Sequence, residues 1–278
     1  MAAAPNPSVH QASAHAKACL AAATALTVAA ASNSAWAAKA CEARSPAHRV
    51  ALVELYTSQG CSSCPPADRW LSALPQRFSP EQAVPLSLHV GYWDYIGWKD
   101  PFARREFNDR QRALAQWNKS RNVYTPGVFV QGSEMRQWPD TAEVSGFVRG
   151  VNAQPAPVSL SLQARVDGGV IDARALAVPS SPQARREGLQ AVLALTQSGL
   201  RTAVQAGENK GERLANDHVV REWQAATPLD AAGLAKARWT VPAGANLNQL
   251  ALVAFIQTSG DAVPLQVLRL PLSGCEGS

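Results

Sequence analysis

The sequence predicts an α/β domain followed by a β-rich domain. Strands alternate with helices over residues 50–151, which is typical of an α/β layer architecture. The proline-punctuated segment 152–157 (NAQPAP) ends this alternation. After it come short β-favouring runs separated by turn signals, and this spacing indicates a β-sandwich-like fold. The predicted divisions are a signal peptide (residues 1–37), the α/β domain (38–154) and the β-rich domain (155–278).

The elements of the α/β domain follow from apolar runs and helical periodicity. The run 50–56 (VALVELY) is apolar and β-favouring, as expected for a strand covered on both faces. Further strands are predicted at 83–90 and 127–130, and helices at 66–74, 101–119 and 140–151. The predicted strands of the β-rich domain are 158–166, 189–196, 200–205, 218–225, 237–241, 249–258 and 264–272.

Residues 1–37 have the pattern of a secretory signal. Lys17 precedes an apolar run at 18–31, and residues 35–37 (AWA) supply the small side chains of a cleavage site. The apolar run is shorter than the roughly 20 residues needed to span a bilayer. We therefore expect cleavage after Ala37, a periplasmic or secreted protein, and no stable membrane insertion after cleavage.

The charge of the chain is modest, at a formal +5 over 278 residues. A small basic cluster falls in the predicted helix 101–119, where Glu106 and Asp109 also lie, so a solvated helix face is the favoured interpretation. The cluster consists of Arg104, Arg105, Arg110, Arg112, Lys119 and Arg121. We predict no nucleic-acid partner and no cofactor.

Cys61 and Cys64 stand between a predicted strand and a predicted helix, in the motif GCSSCPPAD. The N-terminus of a helix stabilises a thiolate through free backbone N–H groups and the helix dipole. The three-residue spacing lets the second sulfur resolve a mixed disulfide formed by the first. We expect Cys61, as the more exposed thiol, to attack and Cys64 to resolve.

Two further features bear on the cysteines. Cys19 leaves with the signal peptide, and an even number of cysteines then remains in an oxidising compartment. Because chain termini often lie close together, we predict a structural disulfide between Cys41 and Cys275, with unpaired thiols as the alternative.

Glu54 lies within an apolar strand, where a buried carboxylate could carry a proton for exchange. The alternative to this proton-carrying role is that Glu54 makes a structural hydrogen bond or projects into solvent.

Thr125-Pro126, just before the strand 127–130, resembles the thioredoxin superfamily. That fold sets a cis-proline at the start of a strand facing the CxxC pair. The resemblance therefore implies a cis Pro126 beside Cys61, with Thr125 next to it.

Four segments resemble a secreted family known as domain of unknown function 1223. They are VELYTSQGCSSCPPAD (53–68), HVGYWDYIGWKDPFA (89–103), VYTPGVFVQG (123–132) and GENKGERLANDHVVR (207–221). The resemblance implies a thioredoxin-like domain followed by a β-rich one, and it brings no known substrate.

The chain departs from ordinary thioredoxins between Cys64 and Pro126, where the sequence leaves room for an aromatic and helical insertion. Its side chains could form a substrate-binding wall beside the cysteines, together with Thr125, or a satellite core under a long loop. The aromatic residues concerned are Tyr92, Trp93, Tyr95 and Trp98.

The leading hypothesis is an exported thioredoxin-like thiol–disulfide oxidoreductase or redox-active adaptor that uses Cys61 and Cys64. Its partners would be the protein thiols or disulfides of exported proteins. One alternative is a binding protein in which the CxxC disulfide is a permanent staple. Another is a periplasmic protein that handles Cu(I) with two thiolates, although no Met or His adjoins them in the sequence.

Overall fold

The computed structural model describes residues 40–181, 188–260 and 262–275. These residues belong to one compact unit, and the predicted signal peptide lies outside them. The helices are α1 (Pro65–Ala73), α2 (Arg105–Trp117) and α3 (Thr141–Asn152), with 3₁₀ turns at Leu74–Gln76, Gly91–Ile96 and Leu247–Gln249. The strands are β1 (Cys41–Arg44), β2 (Ala51–Thr57), β3 (Ala83–His89), β4 (Gly127–Val130), β5 (Ser133–Glu134), β6 (Val158–Asp167), β7 (Val170–Pro179), β8 (Leu189–Gln197), β9 (Leu200–Ala203), β10 (Arg213–Asn216), β11 (Val219–Pro228), β12 (Leu234–Thr240), β13 (Leu250–Thr258) and β14 (Gln266–Pro271).

An eight-stranded sheet runs through both predicted parts of the chain, in the order β14-β13-β8-β11-β3-β2-β4-β5. β2 and β3 are parallel and α1 connects them, whereas β4 is antiparallel to β2. β11 joins β3 as a parallel neighbour through the pair Val219 and Ser87. The Ser87 N–H donates to the His218 carbonyl oxygen at 2.9 Å, so the backbone ladder continues between the two parts.

Helices cover both faces of the sheet around β2. Every residue of β2 is buried, and its side chains alternate between the two faces. Val53 and Leu55 pack with α1 and α3, whereas Leu52 and Tyr56 pack on the side of α2. The N-terminus of α1 and the C-terminal ends of β2 and β3 therefore lie at one edge of a fully packed layer.

A second sheet, of order β1-β6-β7-β12, packs against β8, β13 and β14 through a shared apolar cluster. The alternation of buried and more exposed residues along β6 confirms the period-two pattern of the sequence there. A Cys41–Cys275 disulfide links β1 to the segment after β14, with Cα atoms 5.3 Å apart. The protein is thus a mixed α/β structure made mostly of strands, as the coarse class predicted from the sequence requires.

Within the described residues, each helix is too short or too polar to cross a bilayer.

Candidate functional site

The CxxC motif forms a disulfide at the N-terminus of α1. The Cα atoms of Cys61 and Cys64 are 5.5 Å apart. Cys64 is the N-cap of α1, and its carbonyl oxygen accepts hydrogen bonds from the Ala67 and Asp68 N–H groups at 2.9 and 3.1 Å. Prolines occupy the first two positions of α1, where a backbone N–H has no helical partner to lose. The helix begins at Pro65, one residue before its predicted start.

Thr125 contacts the sulfur of Cys61 from the start of β4. The Thr125 Oγ1–Cys61 Sγ distance is 3.3 Å, and the Thr125–Pro126 peptide bond is cis, as the resemblance implies. The Trp93 indole N–H donates to Thr125 Oγ1 at 2.7 Å, which leaves the hydroxyl proton free to point at the sulfur. The Ser63 hydroxyl lies 3.2 Å from the same sulfur. Cys61 therefore has two hydroxyl groups that can stabilise a thiolate.

Neither Cys61 nor Cys64 has exposed surface, so the prediction that Cys61 is the more exposed thiol is wrong.

A turn between β9 and β10 covers the motif. The Asn209 side-chain amide donates to the carbonyl oxygens of Gln59 and Cys61, both at 2.9 Å. The Glu208 carboxylate accepts from the N–H and the hydroxyl of Ser62 at 2.9 and 2.7 Å. We call residues 207–211 the covering turn.

The aromatic insertion contributes to this cover. The Trp98 indole N–H donates to Gln59 Oε1 at 3.3 Å. Gly207, in the covering turn, has φ +75°, and a Cβ there would lie 3.2 Å from both Ile96 Cδ1 and Trp98 Cβ. Trp93 and Trp98 thus lie at the motif, as the sequence suggested, whereas Tyr95 is 81% exposed and points away from the core.

Glu54 lies on the α2 side of β2 rather than on the α1 side. Its carboxylate forms an ion pair with Arg110 at 2.6 and 3.1 Å, and the Tyr56 hydroxyl donates to it at 3.1 Å. The structure therefore does not bring Glu54 to the sulfurs. These contacts match the alternative of a structural hydrogen bond.

A buried ionisable cluster, which the sequence reasoning missed, lies beside α1. His89 Nδ1 and Asp100 Oδ2 are 2.7 Å apart and both side chains are fully buried. The same Asp100 oxygen accepts from the Gln59 N–H at 2.8 Å, which ties the pair to the turn before Cys61. Asp68 is the third member, and burial raises its pKa to about 6. We call Asp68, His89 and Asp100 the buried triad.

Electrostatic coupling links the members of the triad. Burial alone would lower the pKa of His89, but the attraction and hydrogen bond of Asp100, with a contribution from Asp68, raise it above its ordinary value. Burial opposes ionisation of Asp100 as well, but His89 and the hydrogen bonds to the carboxylate hold the pKa of Asp100 below its ordinary value. His89 thus forms a hydrogen-bonded pair with Asp100 and is also attracted by Asp68.

The fold and the motif together define a mixed α/β protein with a disulfide at a helix N-terminus. This disulfide lies between the start of β4 and the covering turn. A family model described as a protein of unknown function (DUF1223) matches residues 52–257. The chain belongs to this family.

Solved structures show the same fold at low sequence identity. A protein of Agrobacterium tumefaciens from a structural genomics consortium is 24% identical with a TM-score of 0.58, over 80% of this chain and 95% of that one. HBP35 of Porphyromonas gingivalis is 14% identical with a TM-score of 0.60, over 84% of this chain and 78% of that one. A comparison with curated proteins found no match.

Proposed function

We propose that this protein is an exported thiol–disulfide oxidoreductase, or redox-active adaptor, in which Cys61 exchanges with thiols or disulfides of other exported proteins. The observation that carries the proposal is the contact between the Thr125 hydroxyl and the Cys61 sulfur at the N-terminus of α1. A hydrogen-bond donor and a helix N-terminus both lower the free energy of a thiolate more than that of a thiol.

The arrangement of elements supports a thioredoxin-like assignment for the first part of the chain. β2, α1 and β3 form a parallel βαβ unit, and β4, β5 and α3 follow as a hairpin and a helix. The CxxC motif lies at the β2–α1 junction, and the residue before Pro126 contacts it from the neighbouring strand. These are the relations that the sequence resemblance implies.

The exchange reaction balances without a cofactor. The Cys61 thiolate attacks a client disulfide, forms a Cys61–client bond and releases one client thiolate. The Cys64 thiolate then attacks the Cys61 sulfur, which forms the Cys61–Cys64 disulfide and releases the second client thiolate. Two electrons pass to the client in this direction, and the reverse sequence oxidises a client dithiol.

Export is proposed on the pattern of residues 1–37, with an alanine-rich apolar run followed by AWA at 35–37. An oxidising compartment suits a protein with two disulfides.

A binding protein with a permanent CxxC disulfide is the second candidate, because neither sulfur has exposed surface. In that case the covering turn and Trp98 would keep the disulfide closed, and recognition would occur elsewhere. For exchange to take place, the cover must open.

Trapping of mixed disulfides distinguishes the two candidates. Cys64→Ser leaves Cys61 able to attack while nothing resolves the product, so this variant should accumulate covalent adducts with exported proteins in cells. Cys61→Ser is the matched control and should accumulate far fewer. Equal, background-level adducts in both variants would favour the permanent disulfide.

A further inference from the structure

Asp68 has an unusual environment for a carboxylate. The residue is 6% exposed, and none of the described residues forms a hydrogen bond with its Oδ1 atom. The Nε2 atom of His89 is buried and likewise lacks a hydrogen-bond partner among these residues. Burying a polar atom without a hydrogen bond costs free energy, and a redox or catalytic role is one reason why native proteins keep such atoms.

The position of Asp68 relative to Cys64 indicates what that role is. Asp68 follows Cys64 by four residues, and its backbone N–H donates to the Cys64 carbonyl oxygen at 3.1 Å. Residues four apart lie on the same face of a helix, about 5–6 Å apart between their Cβ atoms. Both residues are buried. Asp68 is thus the acid one helical turn beyond the resolving cysteine.

Asp68 also borders a route to solvent. A cavity of about 350 Å³ lies between α1 and the residues around β10, and Asp68 is one of its lining residues. The charged groups that act on Asp68 are His89 of β3 and Asp100, both buried, and the exposed Arg69 of its own helix. The charged residues lining the cavity are Arg69, Glu208, Lys210, Glu212 and Arg213. A proton held by Asp68 can therefore leave through this cavity, which the covering turn borders.

We propose that Asp68 accepts the proton of the Cys64 thiol when Cys64 attacks the mixed disulfide. This inference rests on the proposed exchange function. The proton moves from Cys64 Sγ to the Asp68 carboxylate, the new bond forms between the two cysteine sulfurs, and the bond between Cys61 and the client breaks. In the reverse direction Asp68 returns the proton to Cys64 when the disulfide opens.

The acidity of Asp68 suits this task. Burial raises its pKa to about 6, whereas an exposed aspartate would be too weak a base near neutral pH. Glu54 cannot serve in its place, since Arg110 and Tyr56 hold it on the other side of β2.

Stopped-flow reaction of the reduced mature protein with dithiobis(nitrobenzoate) separates the two steps. Attack by Cys61 releases the first thionitrobenzoate, and attack by Cys64 releases the second. In Asp68→Asn we expect the second release at pH 7 to slow about 100-fold, the usual scale of general-base assistance. The first release should remain within about twofold, because Asp68 takes no part in that step.

The pH dependence of the second release rate distinguishes a proton-accepting role of Asp68 from a merely structural one. In the native chain the rate of the second release should rise through an inflection near pH 6, as Asp68 becomes a carboxylate. This inflection should be missing in Asp68→Asn. Glu212→Gln removes an exposed carboxylate from the same cavity and is the matched control, with both releases expected at native rates.

Three results would count against the inference. An unchanged second release in Asp68→Asn overturns the role of Asp68 and leaves the exchange function intact. A native profile with a single inflection, above about pH 8 where a free thiol titrates, overturns it even if Asp68→Asn fails to fold. The absence of any first release from the reduced native protein overturns the exchange function itself, and the role of Asp68 with it.

Discussion

The two disulfides of this protein differ in both loop length and surroundings. Cys41 and Cys275 are separated by 234 residues and pack in the apolar cluster between the two sheets. Cys61 and Cys64 are three positions apart, and hydroxyl groups from Ser63 and Thr125 lie against the Cys61 sulfur.

This difference suits the two disulfides to different roles. In the chain-entropy model, closing the long loop contributes about 5 kcal/mol, whereas closing a loop of four residues contributes about 2 kcal/mol. The Cys61–Cys64 disulfide contributes little to stability. Its surroundings, however, include the hydroxyl contacts of Cys61, the N-terminus of α1 and the buried triad. We therefore expect Cys41–Cys275 to contribute mainly to stability, and Cys61–Cys64 is the pair for which we propose exchange.

Replacing Cys41 and Cys275 together by serine should have the largest effect on stability. The loss of the long-range link should lower the free energy of unfolding by about 4–5 kcal/mol, as measured by urea denaturation. The trapping of partners by Cys64→Ser should persist in this background. Loss of trapping in a chain that remains folded would contradict the division of roles.

Glu54→Gln should destabilise the protein without affecting exchange. The substitution leaves the Arg110 guanidinium buried without its counter-ion, so the free energy of unfolding should fall by about 3 kcal/mol. Exchange with dithiobis(nitrobenzoate) should keep the native rates in both steps. A selective slowing of the second step would return the proton-carrying role to Glu54.

Asp68→Asn should make stability depend less on pH. The pKa of Asp68 is raised from 3.8 to about 6 in the folded protein, so the folded state favours the protonated acid and loses stability as pH rises from about 4 to 6. Asparagine removes that loss, and the variant should exceed the native protein by up to about 3 kcal/mol at pH 7.5. Urea denaturation at pH 4, 6 and 7.5 measures the trend. A gain of the same size at all three values would contradict it.

Asn209→Ala should have the smallest effect on stability, about 1–2 kcal/mol, because two hydrogen bonds to backbone carbonyls are lost. The same change should loosen the covering turn, and the rate at which dithiothreitol reduces Cys61–Cys64 should rise several-fold. Lys210→Ala, at the exposed neighbouring position, is the control. Equal reduction rates in both variants would show that this turn does not limit access.

Local patterns were enough to predict the elements around the motif. The apolar runs that became β2, β3 and β4 are recognisable without partners, because each is short, β-favouring and buried on both faces. The link between Cys41 and Cys275 also follows from counting cysteines and from their positions near the chain ends. These features depend on composition over a few residues or on pairing arithmetic.

Contacts between distant segments could not be predicted in this way. The alternation of β2 places Glu54 opposite Leu55, but no sequence pattern reveals which face α1 will cover. The covering turn is separated from Cys61 by more than 140 residues, and Asn209 reaches it because β11 pairs with β3. The buried triad likewise forms where a helix, a strand end and a loop meet, so Asp68 and Asp100 look like surface residues in the sequence.

The midpoint potential of Cys61–Cys64 in the purified mature protein tests the central claim most directly. Equilibration with glutathione and dithiothreitol buffers, followed by alkylation and peptide mapping, reports this pair and Cys41–Cys275 separately. We predict that Cys61–Cys64 is reduced at a potential well above about −300 mV while Cys41–Cys275 stays oxidised, since structural disulfides lie below that value. Reduction of both pairs together, below about −300 mV, would contradict the account and identify Cys61–Cys64 as a second structural link.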